Sequence, residues 1–259
     1  MAVTLTLDGP RATLTLDRPA KRNALDLAMW EALPALIERA MAHSAVRLLI
    51  VTGRGGAFCA GADIGEFATH AADPAWRARN NAAIRATQVT LARAVKPVLA
   101  AIDGDAIGGG LGLALACDIR LATAASRFGM TPAKLGLVYP LHDTKLLVDA
   151  VGPAQAKRML FTAQIMDAAN AERIGLIDEV IADLPAAIDD FAARVVALSA
   201  TTQTAAKAIV RRILDGATDD DPATAAQFDA AFASADFVAG VAAFHAKHPG
   251  QTSGRRGPP

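Results

Sequence analysis

The residues with the clearest chemical potential in this 259-residue chain are three successive glycines, Gly108, Gly109 and Gly110. A β-rich run, Val98 to Ile102, leads through a turn to these glycines, which open an apolar helix ending near Asp118. Glycines at the mouth of a helix let a ligand approach the backbone closely. Unpaired N–H groups and the positive end of the helix dipole can then hold an anion or a developing oxyanion. The same residues also serve a tight strand-to-helix turn with close packing. A second glycine-rich loop, Gly53-Arg-Gly-Gly-Ala-Phe-Cys-Ala-Gly-Ala-Asp63, follows another apolar run and again leads into a helix. Together the two loops supply backbone donors, and two N–H groups converging on one oxygen are a common means of stabilising an enolate or a tetrahedral oxyanion.

Other chemistries are excluded position by position. A dinucleotide fingerprint needs glycines at offsets 0, 2 and 5, but from Gly108 the last falls on Leu113 and from Gly53 on Phe58. A phosphate-binding P-loop needs Lys and Ser or Thr after Gly61, where Ala62 and Asp63 stand. There is no Gly-x-Ser-x-Gly elbow. Cys59 and Cys117 lack the spacing of a zinc site or a redox pair, and His245 and His248 read as a solvated helix end, so no metal is expected.

Those loops need elements to hold them. Val3–Leu7 and Ala12–Leu16 alternate and form a hairpin around Asp8-Gly-Pro10. Asn23 or Asp26 caps a helix from about Leu27 to Ser44, which Pro34 bends. Val46–Thr52 is a nearly continuous apolar run, as expected of a strand covered on both faces. Residues 66–80 have no strong period and read as a mobile loop or short helix, and Ala82–Val95 as a helix. Ile119–Ala122 is a strand, 126–140 a loop with strand-like ends, and helices follow at 143–151, 154–161 and 168–174, before a late strand over 176–181. The rest reads as helices over 185–198, 202–215 and 222–247. The expected organisation is an α/β core over residues 1–183, a helical region over 184–250 and a disordered tail over 251–259.

Formal charge is zero, from 26 basic and 26 acidic residues, which leaves no electrostatic footprint for nucleic acid or an anionic membrane. No uncharged run is long enough to span a bilayer, the N-terminus has no signal-peptide pattern, and two cysteines argue for a reducing compartment. A cytoplasmic location is the expectation.

The motifs resemble one family as a set. Asn23-Ala-Leu25, Ala57-Phe-Cys-Ala-Gly-Ala-Asp-Ile64, Lys96-Pro-Val-Leu-Ala-Ala-Ile-Asp-Gly104, Gly108-Gly-Gly110 and Cys117-Asp118 are similar, in order and spacing, to the enoyl-CoA hydratase/isomerase (crotonase) superfamily. So are Leu135-Gly-Leu137, Gly152-Pro153, Leu160-Phe-Thr162, Ala168…Ala171…Gly175-Leu176 and Gly240-Val-Ala-Ala-Phe244. The resemblance implies a spiral of repeated β-β-α units with a C-terminal helical trimerisation region, assembled as a homotrimer or hexamer. It implies an acyl-CoA substrate, with coenzyme A part of that substrate and no further cofactor. The N–H groups of Ala62 and Gly109 would form the oxyanion hole. Lys21, Arg22, Ala24, Ala60, Asp63 and Ile64 would hold the CoA moiety, with Asp105, Ile107, Gly112 and Pro132 completing the substrate site.

The chain also departs from that pattern. Hydratases of the family carry a glutamate in the helix after the glycines and another after Phe-Gly. Hydration uses such a pair, one to activate water and one to move the α-proton. Here Gly112 and Pro132 stand there, or Thr131 or Ala133 if the alignment slips. The loop Phe128–Tyr139 resembles the methylmalonyl-CoA decarboxylase branch, in which a tyrosine at the position of Tyr139 lies by the substrate carboxylate. Tyr139 is therefore the candidate catalytic side chain, with Glu66, Asp105, His142 and Asp143 as further candidates for moving a proton. Three readings follow: an acyl-CoA enolate enzyme lacking both hydratase glutamates, a decarboxylase-like lyase using Tyr139, and a non-catalytic acyl-CoA-binding subunit.

Overall fold

The computed structural model describes residues 2–247. Two compact units divide the chain, the first ending at Ala197 and the second beginning at Leu198. In the first, β1 (Val3–Asp8) and β2 (Arg11–Leu16) form the expected antiparallel hairpin, and β2 then pairs in parallel with β3 (Leu48–Gly53). The sheet continues in parallel through β4 (Val98–Ile102), β6 (Ile119–Thr123) and β9 (Glu179–Ile181), in the order β1-β2-β3-β4-β6-β9. A small second sheet has the order β5-β7-β8, from β5 (Asp105–Ile107), β7 (Arg127–Gly129) and β8 (Met166–Asp167).

The middle turns of the chain each add one strand to the large sheet, one to the small sheet, and then a helix. β4 and β5 lead to α4 (Gly109–Leu115), and β6 and β7 lead to α5 (Leu141–Thr162). An isolated parallel bridge between Cys59 and Ala106 extends the pattern to β3, whose turn closes with α2 (Ile64–His70) and α3 (Pro74–Ala92). In the small sheet Cys59, Ala106 and Phe128 therefore lie side by side. The loops leaving these three segments emerge at one edge, the carboxyl end of parallel strands, where α/β folds place their ligands.

The continuous apolar runs of β3 and β4 are explained by burial on both faces. Leu49, Val51, Val98, Ala100 and Ile102 join the main core with Trp30, Leu33 and Ile37 of α1 (Leu27–Ala42). Leu48, Ile50, Leu99, Ala101 and Leu121 face the other way, against Leu184, Ala192 and Val195 of α7 (Leu184–Ala197). That second core packs α7, the first of the C-terminal run of helices, within the first unit, which ends at Ala197.

Several local readings change. Residues 66–80 are helical except around 71–73: Asp73 accepts a hydrogen bond from Ala75 N at 2.8 Å and Pro74 begins α3, which runs eight residues ahead of the expected start at Ala82. Its buried face is Trp76, Asn80, Ala83, Thr87, Gln88 and Leu91, half of it polar, so a hydrophobic period is masked. The helix expected over 222–247 is two, α9 (Pro222–Phe232) and α10 (Ala235–Lys247). Ser234 Oγ accepts from Phe237 N at 3.1 Å and starts the second. The second unit also contains α8 (Ala200–Leu214), and α6 (Ala168–Arg173), capped by Asp167, belongs to the first. Gly152, at φ +74°, breaks α5 where two helices were expected to meet. His248 and the tail 251–259 lie outside the described residues.

Candidate active site

The first loop is fixed by main-chain pairing on both sides. Cys59 N donates to Asp105 O at 2.8 Å and Ile107 N to Cys59 O at 3.0 Å. Ala60 N donates to Arg22 O, Leu25 N to Gly61 O, and Asp63 N to Leu25 O, all within 2.7–2.9 Å. Asn23 braces the same loop from a left-handed conformation at φ +56°. Its fully buried carboxamide donates to Ala57 O at 2.6 Å and Arg54 O at 2.9 Å, and accepts from Arg18 N at 2.8 Å. Helix capping upstream falls instead to Asp26, which accepts from Met29 N at 2.9 Å.

The second loop requires its glycines. Gly108 has φ +56° and ψ −121°, a conformation that side chains rarely adopt. Gly110 packs directly on the first loop, since a Cβ there would lie 2.2 Å from Cys59 O. This close approach brings the amides of Ala62 and Gly109 together: a Cβ on Gly61 would be 3.4 Å from Gly109 N, and one on Gly109 would be 3.8 Å from Ala62 N. Among the described residues neither amide donates to a main-chain carbonyl, and Gly109 is the first residue of its helix. Both border a cavity of about 550 Å³, a size typical of small-molecule sites.

Of the residues predicted from sequence, Ala60, Ala62, Ile64, Ile107, Gly109, Gly112, Pro132 and Tyr139 line this cavity. Lys21, Arg22, Ala24, Asp63 and Asp105 do not. Lys21 lies 3.9 Å from Asp63, and Arg22 is 3.9 Å from Asp105. Ala24 is buried beneath the loop, its carbonyl 3.2 Å from Arg18. Burial pushes the Asp63 carboxyl up, but the Gly65 N–H that it caps, together with Lys21 and Arg18, outweighs this and holds it below its ordinary value.

The proton-moving candidates separate in the same way. Asp105 forms a two-pronged ion pair with Arg127, both contacts at 2.8 Å. Glu66 accepts from Leu27 N at 2.9 Å and serves the first turn of α1. Neither carboxylate, nor His142, is on the cavity wall, whereas Asp143 is. Burial raises the Asp143 carboxyl above its ordinary value, partly offset by a hydrogen bond from the Gln88 side chain. Tyr139 is also raised, to about 12, by burial and then by the Asp143 charge, so its phenol stays protonated at neutral pH. Its hydroxyl sits beside the second loop, 3.2 Å from where a Gly108 Cβ would be.

Sequence reasoning missed Gln88, Trp30 and Trp76. Gln88 is 1% exposed, and its Nε2 would be 2.7 Å from a Cβ on Gly112. It fills the volume beside the helix position that has no side chain. A polar residue on the α3 stripe between Ile84 and Leu91 is the signal that could have pointed to it. Trp30, on α1, stacks behind Gly109, with Cζ2 3.2 Å from the Cβ position. Trp76 meets Phe67 edge-on at 5.1 Å, and both line the cavity with Ile84, Met130 and Leu137. The walls are thus apolar around a short row of polar groups, suited to an acyl chain ending in a polarised carbonyl. Among the described residues no cluster of His, Cys, Asp and Glu could hold a metal ion, and no helix is long and apolar enough to cross a membrane.

A pair of adjacent main-chain amides at the carboxyl edge of an α/β core thus opens on a largely apolar cavity. The family model for enoyl-CoA hydratase/isomerase matches residues 11–253. The chain is 34% identical to the crotonyl-CoA hydratase of Syntrophomonas wolfei, over 90% of each chain, and 34% identical to the (E)-benzylidenesuccinyl-CoA hydratase of Thauera aromatica, over 74% of this chain and 73% of that one. The crystal structure of an enoyl-CoA hydratase/isomerase family protein from Hyphomonas neptunium superposes with a TM-score of 0.92 at 39% identity, over 96% of both chains. The chain belongs to the enoyl-CoA hydratase/isomerase family, the crotonase superfamily, and has its α/β fold with C-terminal helices.

Proposed function

We propose that this protein processes an acyl-CoA by forming the enolate of its thioester, with the N–H groups of Ala62 and Gly109 holding the oxygen. The observation that carries the reading is the pair of adjacent amides, without main-chain acceptors, on the cavity wall. Donors set where charge develops, in a site poor in water, stabilise a transition state more than a ground state. The thioester carbonyl enters between the two loops and its acyl chain lies against Trp30, Phe67, Trp76 and Ile84. Lys21, Arg22, Ala24 and Asp63 flank Ala60 and Ile64 on the CoA side, where the basic pair meets the phosphates.

Simple hydration is disfavoured, because Gly112 and Pro132 offer no carboxylates and, among the described residues, the cavity wall carries only one, Asp143. A reaction that needs a single proton carrier, such as shifting a double bond along the acyl chain, fits better. A decarboxylase-like lyase is the second reading, favoured by the protonated Tyr139 hydroxyl beside Gly108. Decarboxylation needs an enolate stabiliser and a proton donor, but no general base. The exposed side chains of Ile209, Val210, Ile213, Phe228, Phe232 and Phe237 support a homotrimer or hexamer.

The test is incubation with crotonyl-CoA, a 3-enoyl-CoA and methylmalonyl-CoA in deuterated water, with products followed by mass spectrometry. Double-bond migration or α-deuteration is expected with the 3-enoyl-CoA. Crotonyl-CoA hydration at the rate of an ordinary hydratase would sink the claim about the missing glutamates. Loss of carbon dioxide from methylmalonyl-CoA, abolished in Tyr139→Phe, would favour the lyase. Binding of all three without reaction or exchange would make the chain a non-catalytic acyl-CoA-binding subunit.

A further inference from the structure

We propose that the Asp143 carboxyl group is the acid–base catalyst of this site and that Gln88 positions it, in place of the side chain that Gly112 lacks. The assignment rests on the enolate reading above and names the group that moves the proton.

Three side chains on the cavity wall are charged or titratable: Arg77 on α3, Tyr139 in the loop before α5, and Asp143 on α5. The Arg77 guanidinium carries hydrogen-bond donors only and donates to Ala71 O at 2.5 Å, and the Tyr139 phenol is too weak an acid to be ionised near neutrality. Asp143 is left as the one group there able to both take and return a proton. Its burial moves it toward the range in which a carboxyl group serves as acid and base in turn.

Gln88 is suited to hold such a group. A carboxamide donates through nitrogen to an ionised carboxylate and accepts through oxygen from a protonated one, so one side chain partners both states. Gln88 already bonds Asp143, while its Oε1 is buried with no hydrogen-bond partner among the described residues. An acceptor left unmade in this way is costly, and a protonated Asp143 would supply it with a donor. A side chain on residue 112 would displace the amide, since its Cβ would fall 2.7 Å from Nε2. Gly112 is therefore a requirement of this arrangement, not only the loss of another.

The step balances without a co-reactant. The Asp143 carboxylate removes a proton from C2 of a 3-enoyl thioester, and the C–H electron pair passes into the carbonyl to give the enolate. The enolate pair then forms the C2–C3 double bond while the C3–C4 π pair takes the same proton from Asp143 at C4.

The test uses the full-length protein with a 3-enoyl-CoA and a saturated acyl-CoA in deuterated water. Asp143→Asn should lower both double-bond migration and α-exchange by about 10²- to 10⁴-fold, with the Kd for the saturated acyl-CoA changed less than threefold. Gln88→Leu should lower kcat by about tenfold with KM little changed. It should also move the acidic limb of the rate profile to higher pH, because the lost hydrogen bond favoured the carboxylate. Exchange in Asp143→Asn within threefold of the unaltered protein would overturn the assignment alone. The absence of both double-bond migration and exchange in the unaltered protein would overturn the enolate reading and this assignment with it. An acidic limb unmoved in Gln88→Leu would remove the positioning role.

Discussion

The two halves of the site are built from different material. The cradle, residues 57–63 and 104–110, presents main-chain amides and owes its shape to glycines and strand pairing. The facing wall presents side chains, Gln88 from α3, Tyr139 from a loop and Asp143 from α5, drawn from more than fifty residues of chain. Main-chain donors are the same for any sequence that reaches the conformation. A side-chain wall can be re-staffed from another helix so long as volume and charge are kept. Here the helix glycine Gly112 and the α3 glutamine Gln88 meet in one volume, so the wall at this point is a carboxamide supplied by a distant helix.

Removing a donor is the strongest way to break the comparison. Gly109→Pro deletes one cradle N–H at a first helical position that accepts proline, and kcat for the best acyl-CoA substrate should fall by about 10²- to 10³-fold. A fall of less than fivefold would mean that the cradle has no electrostatic role. Asn23→Ala should come next, lowering stability by about 2–3 kcal/mol in urea denaturation by leaving three main-chain groups, the buried Ala57 carbonyl among them, without their partner.

On the wall, Gly112→Ala pushes a Cβ into Gln88 and should cost about tenfold in kcat. The same change in a Gln88→Ala background should cost little more, and full additivity of the two losses would break the proposed coupling. Asp143 also predicts a stability signature. Its folded pKa is raised, so the native state binds the proton more tightly, and stability falls as pH rises from the ordinary carboxyl value of 3.8 through the raised one. Asp143→Asn should raise Tm above that window and lose its advantage below pH 3.8. A Tm difference independent of pH would contradict the burial of the charge. Arg127→Ala should have the smallest effect, since it breaks only the outer pair with Asp105. Thermal stability should change by no more than about 1 kcal/mol, and turnover should stay within twofold.

Legibility followed the same division. The hairpin, the strands buried on both faces, the caps at Asp26, Asp63 and Asp167, and the break at Gly152 were readable because each depends on a few neighbouring residues. The start of α3, over 74–81, has no legible period because only Trp76 and Asn80 are buried there, so a helix that walls a cavity loses the apolar period that marks one packed on a core. Asp73-Pro74 was a sound start signal within it. α7 looks like its successors in sequence, and only the second core, with Leu48 and Leu99, shows where it packs.

What the sequence determined by itself was the cradle: spaced glycines, apolar strands and a helix start make a conformation from local rules, and the conformation brings its donors with it. What only the tertiary structure decided was the identity of the wall. Asp143, Asp105 and Glu66 are the same kind of group in the sequence. Folding pairs one with Arg127, spends one on the first turn of α1 and leaves one on the cavity wall beside Gln88, because contact between distant helices is set by packing and not by spacing along the chain.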